Sequence, residues 1–204
     1  MKIEKFINKI LSSNSYILHC ESINSVWIID PGDSAQLLVW LKQNTKIVLG
    51  ILLTHSHIDH IYGINDICLK YPLAKIYASR NSKNGLFSPK TNGSYYLDIP
   101  YYVENENIEY INNGDIIKLW EGVSAFVFET PGHDYDCVSY HIKNNLFTGD
   151  ALIPGVKPHT KSKKADKQIA YNTIKWIKKT FDDMTLIYPG HKDSCLLNEI
   201  NIDL

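Results

Sequence analysis

The chain has 204 residues, of which 44% are hydrophobic and 21% charged, and its formal net charge at pH 7 is −1. The length suits one well-packed domain and is marginal for two, and the composition excludes a disordered chain. The near-neutral balance offers no global field to recruit nucleic acid or an anionic membrane. The opening residues, Met1-Lys2-Ile3-Glu4-Lys5-Phe6, are broken by charge at once, and Lys9 follows, so no secretory segment is read there. No apolar run approaches the roughly 20 residues of a membrane span. Cys20, Cys68, Cys137 and Cys195 are scattered without CxxC spacing. They read as mostly buried thiols of a cytoplasmic protein.

In chain order, Tyr16 to His19 and Val26 to Ile29 are short apolar runs that predict a hairpin. Asp30-Pro31-Gly32-Asp33 is a turn, and Ser34 is placed to cap a helix over Ala35 to Gln43, with Leu37, Leu38 and Leu41 on one face. Ile47 to Leu53 reads as a strand buried on both faces. A helix is expected from near the histidine-rich segment that follows, running through Ile67 to Lys70 and ending at Tyr71-Pro72. Lys75 to Ala78 is a further strand. Residues 80–107, rich in Asn, Ser, Gly and Pro, read as a long loop or a set of short pieces. Asn112-Asn113-Gly114-Asp115 is a turn between strands. Val123 to Phe128, Val138 to His141 and Leu146 to Thr148 predict strands. A helix from Asp166 to Phe181 puts Ala170, Ile174, Ile177 and Phe181 on one face. Leu186 to Tyr188 is read as the final strand, stopped by Pro189-Gly190. Many strands with about three helices predict a layered α/β domain spanning residues 1–204.

The segment His55-Ser56-His57-Ile58-Asp59-His60 gathers three of the eight histidines and an aspartate. Residues two apart on an extended backbone project to one side, so His55 and His57 can offer two imidazoles to one cation. Asp59 and His60, at the turn toward a helix, point elsewhere and can serve a second. Neutral imidazole and carboxylate suit zinc, and iron or manganese is compatible with the same donors. Further candidate ligands follow strand ends at tight glycine turns: His133 in Thr130-Pro131-Gly132-His133, Asp150 in Thr148-Gly149-Asp150, and His191 in Tyr188-Pro189-Gly190-His191. Any one of these alone would be an ordinary turn residue; together with the first cluster they indicate a metal site.

These motifs, from Ser13-Asn14-Ser15-Tyr16 through Asp30-Pro31-Gly32 to His191, resemble the metallo-β-lactamase-fold hydrolases, and within them the glyoxalase II-like branch. The resemblance implies a four-layer αββα sandwich. It also implies His55, His57 and His133 on one metal, Asp59, His60 and His191 on a second, and Asp150 bridging them. Asp30 matches the family's buried aspartate, expected to orient the histidine loop rather than bind metal. Two zinc ions about 3.5–4 Å apart would share a hydroxide whose pKa is lowered to about 7, with Asp59 orienting it as the catalytic carboxylate. No Ser or Cys nucleophile is required.

The expected function is therefore metal-dependent hydrolysis of a small thioester or ester-like substrate. Asp150 argues against a β-lactamase, and the charge balance against a nuclease. Glyoxalase II enzymes carry a C-terminal helical domain that helps bind glutathione; the chain ends at Leu204, soon after His191, so that domain is expected to be absent. Gly155-Val156-Lys157-Pro158-His159 stands where the family has Gly-Arg-x-Asp. The alternatives are a mononuclear iron persulfide dioxygenase using His55, His133 and Asp150, and a non-catalytic metal-binding scaffold. Lys157, Lys161, Lys163, Lys164 and Lys167 form a basic stretch, read as a solvated loop or as a rim attracting an anionic substrate. The pairs Tyr95-Tyr96 and Tyr101-Tyr102 either pack a loop or line a pocket. His159 is ambiguous, and His19 and His141 read as structural.

Overall fold

The computed structural model describes residues 1–201, and the chain divides into two compact units, Met1–Tyr110 and Ile111–Leu204. The first unit is built on a six-stranded sheet in sequential order: β1 (Lys2–Ile7), β2 (Asn14–His19), β3 (Ser25–Ile29), β4 (Ile47–Leu52), β5 (Lys75–Ser79) and β6 (Ile108–Ile111). The expected hairpin is present, with β2 and β3 antiparallel and Tyr16 opposite Ile29; β1 adds to its outer edge. β3, β4 and β5 are parallel, which requires crossovers. These are α1 (Ser34–Gln43) and the pair α2 (Ile58–Ile61) and α3 (Ile64–Lys70).

Leu37, Leu41, Ile61, Ile64 and Ile67 from these helices pack with Ile17, Ile28, Ile51 and Ile76 of the sheet in one apolar core. Each fully buried leucine contributes about 1.5–3 kcal/mol. That packing secures a ten-residue helix whose propensity alone is marginal. Its cap is Asp33, not Ser34: the Asp33 carboxylate accepts from Ala35 N–H, while the Ser34 hydroxyl is turned to Asp66.

Two expectations are corrected here. β4 is not buried throughout, because Ile47 and Leu49 are exposed and burial is continuous only from Gly50 onward. Gly50 lies opposite Trp27, where a Cβ would fall 2.3 Å from the indole. The helix expected after the histidines is broken at Tyr62-Gly63, where Gly63 N–H donates to the Pro31 carbonyl at 2.7 Å. That contact anchors the Asp30 turn to the start of α3. Of the two readings open for residues 80–107, the structure shows the set of short pieces, including α4 (Lys83–Phe87) and α5 (Pro89–Asn92).

The second unit holds β7 (Ile116–Trp120), β8 (Val123–Glu129), β9 (Val138–Ile142), β10 (Asn145–Gly149), β11 (Leu186–Pro189) and β12 (Cys195–Leu196). The order is β12-β11-β10-β9-β8-β7, antiparallel except for the pair β10 and β11. Their crossover contains α6 (Lys167–Thr180), capped by Asp166 and burying Ala170, Thr173, Ile174 and Ile177. β11 is not the last strand, since β12 pairs with it. The turn at 112–115 joins strands of different sheets rather than closing a hairpin.

Candidate metal centre

The first group of candidate ligands lies where β4 runs into α2. Gly50 to Ser56 are buried without interruption, and His57 takes the N-cap position of α2 in extended conformation. His55 and His57 have ring centroids 4.6 Å apart. The turn of α2 brings the His60 ring to 4.2 Å from that of His55. Asp59 is 4% exposed and its Oδ2 lies 3.4 Å from His60 Nε2.

A buried hydrogen-bond relay decides which nitrogen each imidazole presents. Asp30 Oδ1 accepts the Thr54 backbone N–H at 2.7 Å, and Oδ2 accepts the Thr54 hydroxyl at 2.6 Å. Because that hydroxyl spends its proton on Asp30, it can only accept from His55 Nδ1, 3.1 Å away. The carboxylate likewise can only accept from His60 Nδ1, at 3.0 Å. Both rings therefore carry a proton on Nδ1, which in the neutral tautomer leaves Nε2 as the nitrogen with a lone pair to offer a cation. Asp30, His55 and His60 themselves have donor atoms within 4.8 Å of one another. The Asp30 carboxylate is spent on Thr54 and His60, so it orients the loop, as its resemblance implied.

Residues outside the candidate ligands hold this loop. The Ser13 hydroxyl donates to the Asp59 carbonyl at 2.6 Å, and Asn8 Nδ2 donates to Ser13 Oγ. The Ser15 hydroxyl lies 2.6 Å from the Asp30 carbonyl and accepts from Gly32 N–H. Asp30 itself sits at φ +50°, and a Cβ on Gly32 would fall 1.7 Å from the Asp59 carbonyl oxygen. The Ser13-Asn14-Ser15 motif thus clamps the histidine segment; Asn8 and Thr54 were not singled out in the sequence and carry no pattern of their own.

The second group belongs to the other unit. Asp150 and His191 follow β10 and β11, which are parallel neighbours, so both emerge at one sheet edge; Gly190 N–H donates to the Gly149 carbonyl there. Asp150 Oδ2 lies 3.6 Å from His133 Nε2 and 3.5 Å from His191 Nε2. His133 Nδ1 faces the backbone carbonyl of His159 at 3.1 Å. A carbonyl only accepts, so His133 also carries its proton on Nδ1 and presents Nε2.

In neutral form, then, two imidazole nitrogens that accept are aimed at carboxylate oxygens that accept, His60 at Asp59 and His133 at Asp150. Facing acceptors repel unless a positive charge stands with them, a second proton or a metal cation. Imidazole nitrogen with carboxylate oxygen is the donor chemistry of zinc and of iron, so the residues fit a metal.

Two other histidines, read as structural, make packing contacts. His19 Nε2 contacts Glu4 Oε1 at 3.1 Å with its ring edge-on to Trp40, and His141 packs against Phe181. The tyrosine pairs separate. Tyr101 is buried, its hydroxyl accepting from Asn65 N–H, and burial pushes its phenol above the ordinary range; Tyr95, Tyr96 and Tyr102 are exposed. The basic stretch separates too: Lys157, Lys161, Lys163 and Lys167 are exposed, whereas Lys164 turns inward.

Residues 9–196 match the family model described as the metallo-β-lactamase superfamily. The hydroxyacylglutathione hydrolase of Francisella tularensis subsp. novicida is 31% identical over 195 residues, 94% of this chain and 68% of that protein. A probable metallo-hydrolase of Streptococcus pyogenes serotype M6 is 30% identical over 200 residues, 95% of this chain and 85% of that protein. The chain spans less of other relatives, 47% and 60% of the hydroxyacylglutathione hydrolases of Buchnera aphidicola and Shewanella loihica. Among solved structures, the BLEG-1 B3 metallo-β-lactamase superposes with a TM-score of 0.88 at 25% identity, covering 97% of this chain and 95% of that one. TTHA1623, solved in a di-iron-bound form, superposes at 0.81 with 23% identity over 96% of each chain, a likeness of fold. The chain belongs to the metallo-β-lactamase superfamily, and its two mixed sheets with flanking helices match that family's α/β sandwich fold.

Proposed function

We propose that this member of the superfamily is a metal-dependent hydrolase of a small thioester or ester-like substrate, and that its ligands are those its motifs imply. His55, His57 and His133 would hold one ion; Asp59, His60 and His191 a second; Asp150 would bridge them. The observation that carries the reading is the acceptor-to-acceptor arrangement in both groups, His60 with Asp59 and His133 with Asp150. It is supported by the relay that sets Nδ1 protonation on His55 and His60.

Bound zinc would supply Lewis acidity and a hydroxide nucleophile at neutral pH. The chain's own residues do the rest. Asp59, buried and beside His60, is the carboxylate placed to orient the attacking water and hold its proton. Asp30 and Thr54 keep two imidazoles in one tautomer, so no ring must flip during turnover. Asp150, in contact with both His133 and His191, ties their positions together.

The hydroxyacylglutathione hydrolase names of the relatives favour a thioester of an anionic thiol. The likeness to BLEG-1 favours testing β-lactams beside it, although Asp150 is the residue we read against that activity. Metal analysis of the purified protein and a screen of thioesters, lactones, β-lactams and phosphodiesters test the proposal. Two zinc per chain, with thioester hydrolysis abolished by Asp59→Ala, is the expected result. One iron per chain with oxygen uptake would replace hydrolysis by dioxygenase chemistry, and no bound metal would leave a scaffold.

A further inference from the structure

The segment 157–166 has no regular secondary structure and is dense in lysine, yet it touches the turn that carries His133 at three successive residues. The Gly132 carbonyl accepts from Asp166 N–H at 2.9 Å. His133 Nδ1–H donates to the carbonyl of His159. Asp134, whose side chain is 0% exposed, has Oδ2 3.5 Å from Lys164 Nζ, and the same ammonium lies 5.2 Å above the Tyr135 ring. The far side of the turn is fixed by α6: the Thr173 hydroxyl donates to the Pro131 carbonyl at 2.6 Å, and a Cβ on Gly132 would fall 2.3 Å from Ala170 Cα.

The two ends of this arrangement differ in kind. The α6 contacts are a buried side-chain hydrogen bond and close backbone packing, made by a regular helix. The loop contacts depend on a surface segment whose lysines repel one another, and a buried carboxylate is costly unless a cation stands beside it. Lys164 meets both requirements: it is the lysine of the loop that turns inward, and its charge lies on the residue next to His133.

We infer that Lys164 is a positioning residue. Its ion pair with Asp134 latches the 157–166 loop, so that the His159 carbonyl holds His133 in the tautomer that presents Nε2. This rests on the reading of His133 as a metal ligand only where metal affinity is concerned; the latch itself is a property of the loop. Two of the remaining lysines, Lys161 and Lys163, are exposed and serve as built-in trypsin sites that report its release.

The experiment uses the full chain. Asp134→Asn with Lys164→Met removes both charges together, so no buried carboxylate is left stranded and the fold is retained; Lys164→Met alone is the harsher companion. In the double variant, with circular dichroism unchanged, cleavage after Lys161 and Lys163 is expected to accelerate about tenfold as the loop opens. Proton–nitrogen correlation spectra should show His133 as a mixture of tautomers. Zinc affinity in competition with a chelator should fall about 10–100-fold. Lys164→Arg alone, which keeps the charge, should leave all three as in the wild type, and Lys175→Gln, exposed on α6, should alter none. A folded double variant with wild-type cleavage rate and a single His133 tautomer overturns the latch. If the wild-type protein binds no zinc, the metal assignment fails, while cleavage and tautomer still decide the latch.

Discussion

Replacing Asp30 by Asn tests the relay directly. Asn tolerates the positive φ of this position as Asp does, so the backbone is not disturbed. What changes is one oxygen. The amide oxygen must face the Thr54 N–H, because placing NH₂ there would set two donors together. NH₂ then replaces Oδ2, where the Thr54 hydroxyl and His60 Nδ1 both now donate. To avoid donor meeting donor, the hydroxyl must turn round and His60 must move its proton to Nε2. The hydroxyl, now a donor toward His55, drives the same change there. Two ligand nitrogens are thereby protonated in the resting protein. Zinc affinity is expected to fall about 10–100-fold, or about 1.4–2.8 kcal/mol. The metal-free protein should lose roughly 2 kcal/mol from the altered charged hydrogen bonds, or about 4–8 °C in Tm. Chelator competition and thermal unfolding in EDTA measure the two effects separately. Zinc affinity within about threefold of wild type, or ~0.7 kcal/mol, would show that Asp30 does not set the tautomers.

Gly132→Ala should be more damaging than Gly114→Ala. The first puts a Cβ 2.3 Å from the Ala170 backbone at φ +132°, whereas the second meets nothing within 4 Å and pays only for its φ of +86°. Thermal unfolding should show a loss of about 1–2 kcal/mol for Gly114→Ala, and for Gly132→Ala that strain plus about 1–3 kcal/mol of overpacking. The imidazole of His141 has its pKa lowered by burial. The resulting stability is complete above its unfolded value of about 6.5 and is lost as pH falls through the depressed folded value. In metal-free protein, His141→Gln should therefore flatten the fall of Tm on acidification; an unchanged slope would refute the assignment. Removing zinc should lower Tm by an amount that grows with the zinc concentration of the reference sample, since ligand binding stabilises by mass action.

Much of the fold was legible because its signals are local. The hairpin of β2 and β3 and the spacing of Ala170, Ile174 and Ile177 follow from alternation and helical period. The misses have tertiary causes. The residues from Ile58 to Lys70 keep helical spacing throughout, but Gly63 is drawn to the Pro31 carbonyl and the helix breaks there. β4 is apolar at every position except Gly50, yet Ile47 and Leu49 in its first half are exposed, a fact of sheet context that hydrophobicity does not encode. β1 carries Lys2, Glu4 and Lys5 among its six residues, and its sequence resembles a loop until β2 supplies the ladder.

The candidate site was legible in its donors and opaque in its wiring. Histidines and aspartates at strand ends can be read as candidate ligands because their side chains would do the coordinating, and because tight glycine turns after apolar runs announce where they sit. Which nitrogen each histidine presents is decided elsewhere. For His55 it depends on a threonine hydroxyl whose proton is committed to Asp30, two steps from the ring. For His133 it depends on a backbone carbonyl at position 159, which every residue type supplies equally. No side-chain pattern marks that position, and the nearby lysines drew attention to charge instead. The residue that matters there by its identity is Lys164, and its significance becomes visible only when the fold sets it beside a fully buried Asp134. Substitution of His159 by any residue that keeps the loop in place should therefore leave His133 in the same tautomer, whereas loss of the Lys164 charge should not; His159→Ala with unchanged zinc affinity and His133 spectrum is the expected outcome, and a shifted tautomer in that variant would move the control from the carbonyl to the imidazole of His159.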